Sequence, residues 1–174
     1  NDGLLYDVDD NGATKVPSTD NIPATDNGLF GKAAEFDGAE FQSNTILEVP
    51  YDATFDATSS SVTVMAWVNR DELVHNVGIL SHDYPALFFG FHNSLYKWEF
   101  PTTEGSVNCY AGYSPQGSWV HIAATYDGTT ARLFANGIEV CTQTATGGFV
   151  INDAPGDASA FTSSGFYEQR DPAG

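Results

Sequence analysis

The sequence predicts an all-β fold, a sandwich or barrel of antiparallel sheets. Short runs rich in β-branched and aromatic residues recur along the chain, divided by clusters of Gly, Asn, Asp, Pro and Ser. Two strong hairpin turns, Asp127-Gly128 and Asn136-Gly137, follow one another closely. No segment sustains the 3.6-residue apolar period of an amphipathic helix, so helix content is expected to be minimal.

The elements follow in order. Residues 1–30 are turn-rich, with NDG, DDNG, VPSTDN and TDNG in succession, and only residues 4–8 read as a short strand. Residues 61–68, SVTVMAWV, are the clearest strand, followed by 77–81 and 87–91. Residues 96–100 alternate as YKWEF. Tyr96, Trp98 and Phe100 share one face, expected in the core, and Lys97 and Glu99 mark the other as wet. Residues 107–113 form the next candidate, where Tyr110 shares a face with Asn108 and Gly112 and is expected to meet solvent or ligand. Trp119–Tyr126 runs into Asp127-Gly128, and 131–135 runs through Asn136-Gly137 into 138–142. Residues 147–174 read as loop. There is no internal repeat and no domain boundary, so residues 1–174 are expected to form one domain.

Composition narrows the function. Of 174 residues, 23 are acidic and 6 basic, a net charge of −17. Such a polyanion repels nucleic acid and anionic membrane surfaces, which removes both as expected partners. No apolar run approaches the ~20 residues of a membrane-spanning helix. An aromatic content of 13% is far from that of a disordered chain. Cys109 and Cys141 have neither redox nor zinc-knuckle spacing, which leaves one disulfide or two free thiols.

Three segments carry a resemblance. Residues 31–38, GKAAEFDG, are similar to G-x-A-x-x-F-D-G; residues 62–68 end in a strand with Trp67; and residues 119–137 resemble W-x-H-x-A-x-T-Y-D-G-x-x-x-x-L-Y-x-N-G. Together they resemble the concanavalin A-like lectin/glucanase superfamily, specifically its laminin G-like domains. The resemblance implies an antiparallel β-sandwich of the jelly-roll type and a frequent calcium site where the first and last strands pair. The family's closing strand, G-x-I-D-E-V-x-I-Y, has no counterpart in residues 165–170, GFYEQR. The chain is therefore expected to lack that strand, and reads as a trimmed module or one closed by an unusual edge.

Asp7-Val8-Asp9-Asp10-Asn11-Gly12 places carboxylates and an amide at alternate positions before a glycine, a pattern that wraps oxygen around a hard cation. Ser18 stands where an EF-hand would put its bidentate glutamate, so a looser calcium loop through Asp7, Asp9 and Asn11 competes with a plain acidic turn. Asp37, in the F-D-G turn, is a weaker alternative ligand. Glu35-x-Asp37-x-x-Glu40 matches the E-x-D-x-x-E signature of laminarinase-type glycoside hydrolases, whose retaining carboxyls stand about 5–5.5 Å apart. Gly38 falls inside the match, and the F-D-G reading also accounts for Gly31 and Ala33. The match is therefore read as chance, and no catalytic residue is expected.

His75, His82, His92 and His121 have no zinc-pair spacing, and His121 reads as a hydrogen-bonded strand residue. The expected carbohydrate-binding residues are His82, Asp83, Tyr84, Tyr110 and Tyr113, because sugars lay their C–H faces on flat rings and give their hydroxyls to polar groups. The resemblance thus implies a non-catalytic, calcium-assisted glycan-binding module of a secreted or cell-surface protein. The alternatives are a protein-binding adhesion domain and a polysaccharide hydrolase or lyase.

Overall fold

The computed structural model describes residues 6–8, 15–17, 24–36, 46–49, 61–71, 76–82, 87–150 and 161–164. All their regular structure is strand. In chain order the strands are β1 (Tyr6–Val8), β2 (Lys15–Pro17), β3 (Ala24–Gly28), β4 (Gly31–Ala34), β5 (Ile46–Val49), β6 (Val62–Asn69), β7 (Asn76–His82), β8 (Leu87–His92), β9 (Leu95–Thr102), β10 (Gly105–Ala111), β11 (Trp119–Tyr126), β12 (Thr130–Ala135), β13 (Ile138–Thr144) and β14 (Phe161–Ser164).

Two sheets form the sandwich. One has six strands in the order β10-β9-β8-β7-β14-β5, the other four in the order β13-β12-β11-β6, and β1-β2 and β3-β4 are separate hairpins. All pairings are antiparallel. Alternation sets the core. β11 buries Val120, Ile122, Ala124 and Tyr126 on one face, and β9 sends Tyr96, Trp98 and Phe100 to meet them. Phe100 lies between Tyr126 and Phe149, with ring centres 5.0 and 5.2 Å apart. Trp98 packs on Phe100 at 4.7 Å and meets Phe89 edge-on at 5.9 Å.

The two sheets are also joined covalently. Cys109 of the edge strand β10 is bridged to Cys141 of the edge strand β13. This resolves the two open states of the thiols. Beside the bridge, the Asn108 amide donates to Gln143 Oε1 at 2.8 Å.

Three expectations need correction. The face of β9 opposite the core is not wet: the side chain of Lys97 is 1% exposed and that of Glu99 15%. Period-2 alternation gives the face a residue takes but not what lies over that face. Residues 1–30 are richer in strand than their turn signals suggest, since β2 and β3 form there as well as β1. In particular Asp26-Asn27-Gly28 lies within β3, and the chain reverses at Leu29-Phe30. The tail is not all loop, because residues 161–164 form β14. β14 sits inside the six-stranded sheet, between β7 and β5. Its sequence, FTSS, carries too little apolar alternation to be read as a strand.

Candidate functional site

The outer face of the six-stranded sheet carries the clearest concentration of polar and aromatic chemistry. Register assembles it. Gly90, Lys97 and Tyr110 lie in one row across β8, β9 and β10, and Phe88, Glu99 and Asn108 in the next. Lys97 Nζ stands 2.6 Å from Glu99 Oε2, 4.7 Å from the centre of the Phe88 ring and 5.1 Å from that of Tyr110. The ammonium is thus held by one carboxylate and the faces of two rings. Burial alone would lower the Lys97 pKa, but bonds to Glu99 and Tyr110 outweigh it and the net direction is upward. Lys97 therefore stays charged, and it fixes the ring of Tyr110 from below.

Tyr110 is 37% exposed, and His92 meets it edge-on at 5.5 Å. Asn108, exposed on the same face, lies two residues back along β10. The arrangement offers a solvent-facing ring locked in place, flanked by an imidazole and a carboxamide.

At the end of β10 the chain turns through Gly112, and Tyr113 projects into solvent, 63% exposed. The next residue, Ser114, is buried; its amide donates to the Ser94 carbonyl at 2.8 Å, and its side chain bonds Tyr96. Burial raises the Tyr96 pKa, while that bond and Arg70 oppose the rise. Arg70, which follows β6, is buried in this rim. Its guanidinium lies 4.2 Å over the Phe91 ring, and Nη2 donates to the Asn93 carbonyl at 3.0 Å. Burial lowers the Arg70 pKa, and the phenols of Tyr96 and Tyr113 counter this.

Of the five expected sugar-binding residues, Tyr110 lies on β10 and Tyr113 three residues on, in the loop that follows it. His82 does not join them. It closes β7 in register with Leu87, whereas Tyr110 lies on β10, two strands beyond β8 and level with Gly90. Three strand spacings of ~4.8 Å separate β7 from β10, so the two residues belong to different parts of the sheet. Asp83 and Tyr84 lie outside the described residues, as do Asp9, Asn11, Asp37, Gly38 and Glu40. Asp7 is on β1, paired with Val16, at the start of the hairpin whose connection carries Asp9 and Asn11. Among the described residues no three His, Cys, Asp or Glu side chains gather as a metal site. β4 ends at Ala34, one residue before Glu35, so the E-x-D-x-x-E match does not begin on a strand.

His92, Lys97 and Arg70 are additions that sequence reasoning passed over. Arg70 carried a signal, being the single basic residue between Lys32 and Lys97. For His92 and Lys97 the signal is their register with Tyr110, which a single strand does not display.

The Laminin_G_3 family model, described as a concanavalin A-like lectin/glucanases superfamily domain, matches residues 41–165, well over half of the chain. The chain belongs to this family. Among curated proteins none matches by sequence. Among solved structures, the laminin G-like chain is similar to domain 4 of AbnA, a GH43 extracellular arabinanase from Geobacillus stearothermophilus, solved in complex with arabinotriose. The two share 20% identity at a TM-score of 0.54, over 95% of this chain and 73% of the other. At that identity the likeness is one of fold.

Proposed function

We propose that this laminin G-like domain is a non-catalytic glycan-binding module and that Tyr110 is its stacking platform. The observation that carries the reading is the half-exposed Tyr110 ring, held from below by the Lys97–Glu99 pair and flanked by His92. A ring that is already immobile loses little conformational freedom when a sugar lies on it, so more of the contact energy appears as affinity. His92, Asn108 and Tyr113 would supply hydrogen bonds to hydroxyls. The related arabinanase domain, bound to arabinotriose, makes short neutral oligosaccharides the first ligands to try.

Isothermal titration of arabino-oligosaccharides and a wider glycan panel tests this. Tyr110→Ala should weaken binding at least ~10-fold, about 1.4 kcal/mol, at a temperature where the variant is still folded. Full affinity in Tyr110→Ala would remove the platform, and a glycan panel without any binder would remove the function. The non-catalytic part is checked separately, since release of reducing ends from β-glucan or alginate would overturn it.

The same proposal includes export and calcium. The bridged Cys109–Cys141 pair is at home in an oxidising compartment, which favours an extracellular setting. The β1–β2 hairpin carries Asp7, Asp9 and Asn11, and an all-oxygen donor set suits a hard cation such as Ca²⁺. These residues would hold the ion, and its role would be to fix the hairpin.

A further inference from the structure

Among the described residues, Arg70 is a cation without a counter-charge. Its side chain is 6% exposed, and Nε and Nη1 are buried with no hydrogen-bond partner. The guanidinium has five N–H donors, and the bond from Nη2 to the Asn93 carbonyl engages only one. Among the described residues the groups that face it electrostatically are two phenols, Tyr96 and Tyr113, and no carboxylate. This is unexpected in a chain with 23 carboxylates and 6 cations. The other well-placed cations are paired, Lys97 with Glu99 and Arg132 with Asp127 and Glu139. A buried charge is ordinarily paired, because leaving its donors unmade carries the full desolvation penalty.

The surroundings suit a ligand rather than a missing structural partner. Arg70 sits at the rim of the sandwich, where three segments meet. Its own carbonyl accepts from the Gly117 amide at 2.7 Å, Gln116 Nε2 donates to the Asp71 carbonyl at 3.2 Å, and the Asn93-Ser94 turn lies alongside. The exposed Tyr113 is carried on the loop between Gly112 and Gly117, both in the left-handed region at φ +72° and +65°.

We infer that Arg70 is an anchor for the carboxylate of an acidic sugar, a uronic acid residue of the bound glycan. This rests on the glycan-binding reading above and narrows its ligand class. A planar guanidinium matches a carboxylate with two parallel, charge-assisted bonds, and a neutral sugar offers it nothing equivalent. The net charge of −17 opposes an anion at long range, but screening limits that field to ~8 Å at physiological ionic strength. A buried contact at hydrogen-bond distance is screened far less.

The test is a titration of the whole chain with trigalacturonate and with arabinotriose. The acidic trisaccharide is expected to bind at least ~10-fold tighter, and Arg70→Gln to bring its affinity down to that of the neutral one. Arg70→Lys keeps the charge but loses the planar fork and should recover only part of the preference. D-galacturonate, but not D-galactose, should raise the melting midpoint of the wild-type chain, a comparison that needs no variant. Equal affinity of the wild type for the two trisaccharides, or a galactose shift equal to that of galacturonate, would overturn the anchor and leave glycan binding standing. Binding of neither trisaccharide, with no shift from either monosaccharide, would overturn the anchor, and a wider glycan panel without any binder would overturn both. A peptide with a free C-terminal carboxylate binding where no uronate does would overturn the anchor in favour of a protein partner.

Discussion

Asn136 and Gly137 make the sharpest conformational demand in the chain, with φ of 49° and 79°. Both lie in the left-handed region, as a two-residue hairpin turn matched to strand twist requires. Asn136 adds a second link, since its Oδ1 accepts from the His121 amide at 2.9 Å and its own amide donates back to the His121 carbonyl at 2.7 Å. A Cβ at position 137 would meet nothing within 4 Å, so the cost of a side chain there is backbone strain alone. Gly137→Val should therefore lower stability by more than about 1 kcal/mol in urea unfolding. An unchanged midpoint would mean that the turn relaxes freely. This residue pair was legible in the sequence because Asn-Gly states its requirement locally. Lys97 was not. Its place on the outer face followed from alternation, but its burial depends on Phe88 and Tyr110, which lie on two other strands. Glu99→Gln should leave the Lys97 ammonium without its counter-charge and cost about 3 kcal/mol or more. Adding Lys97→Met should recover part of that loss, and a double-mutant cycle without coupling would deny the pair.

Among the elements, hairpins with turn residues of known chemistry were readable and insertions into a sheet were not. β11, β12 and β13 fell where Asp127-Gly128 and Asn136-Gly137 placed them. At the first of these turns the Asp127 carboxylate does more than permit a bend: Oδ1 accepts from the Thr129 and Thr130 amides at 3.0 and 2.8 Å, and Oδ2 accepts from Arg132 at 2.9 Å. The bond from Arg132 first, with those from Thr129 and Thr130, holds its pKa well below the ordinary carboxylate value. The hairpin's contribution should then be present above pH ~4 and fade as the solution is acidified toward that lowered value. β14 was hidden because FTSS owes its strand state to β5 and β7 on either side, not to its own pattern. The disulfide was unreadable for a similar reason, as bridging needs a Cα separation, here 6.0 Å, that no spacing supplies. It ties the edge strands β10 and β13 across a sequence separation of 32 residues. Loop-closure entropy makes such a link worth roughly 3–4 kcal/mol. Cys109→Ser with Cys141→Ser should lower stability by about that amount, and because Tyr110 adjoins Cys109 it should weaken glycan binding too.

At the scale of the whole molecule, charge dominates. Lys97, Tyr96 and Tyr126 all hold their protons to higher pH when folded than their ordinary values allow. Above pH ~10 the unfolded chain releases protons that the folded chain keeps, so stability should fall with rising pH from there. At neutral pH the 23 carboxylates repel one another, and that repulsion lowers the cost of taking up a cation. The proposed Ca²⁺ at Asp7, Asp9 and Asn11 depends on this. Three side-chain oxygens at alternate positions supply part of a six- to eight-oxygen shell, and carbonyls and water can supply the rest. A ligand that binds only the folded state stabilises it by RT ln(1 + [L]/Kd), so millimolar calcium at a site of ~10 μM affinity should add about 2.7 kcal/mol. Melting in EDTA and in millimolar calcium measures this directly. The expected result is a higher midpoint in calcium, lost in Asp7→Ala with Asp9→Ala. A shift that survives both substitutions would move the ion elsewhere, with Asp37 the next candidate. Coincident midpoints, together with no heat on titrating calcium into chelated protein, would remove the metal from this fold and leave the β1–β2 connection an ordinary acidic turn.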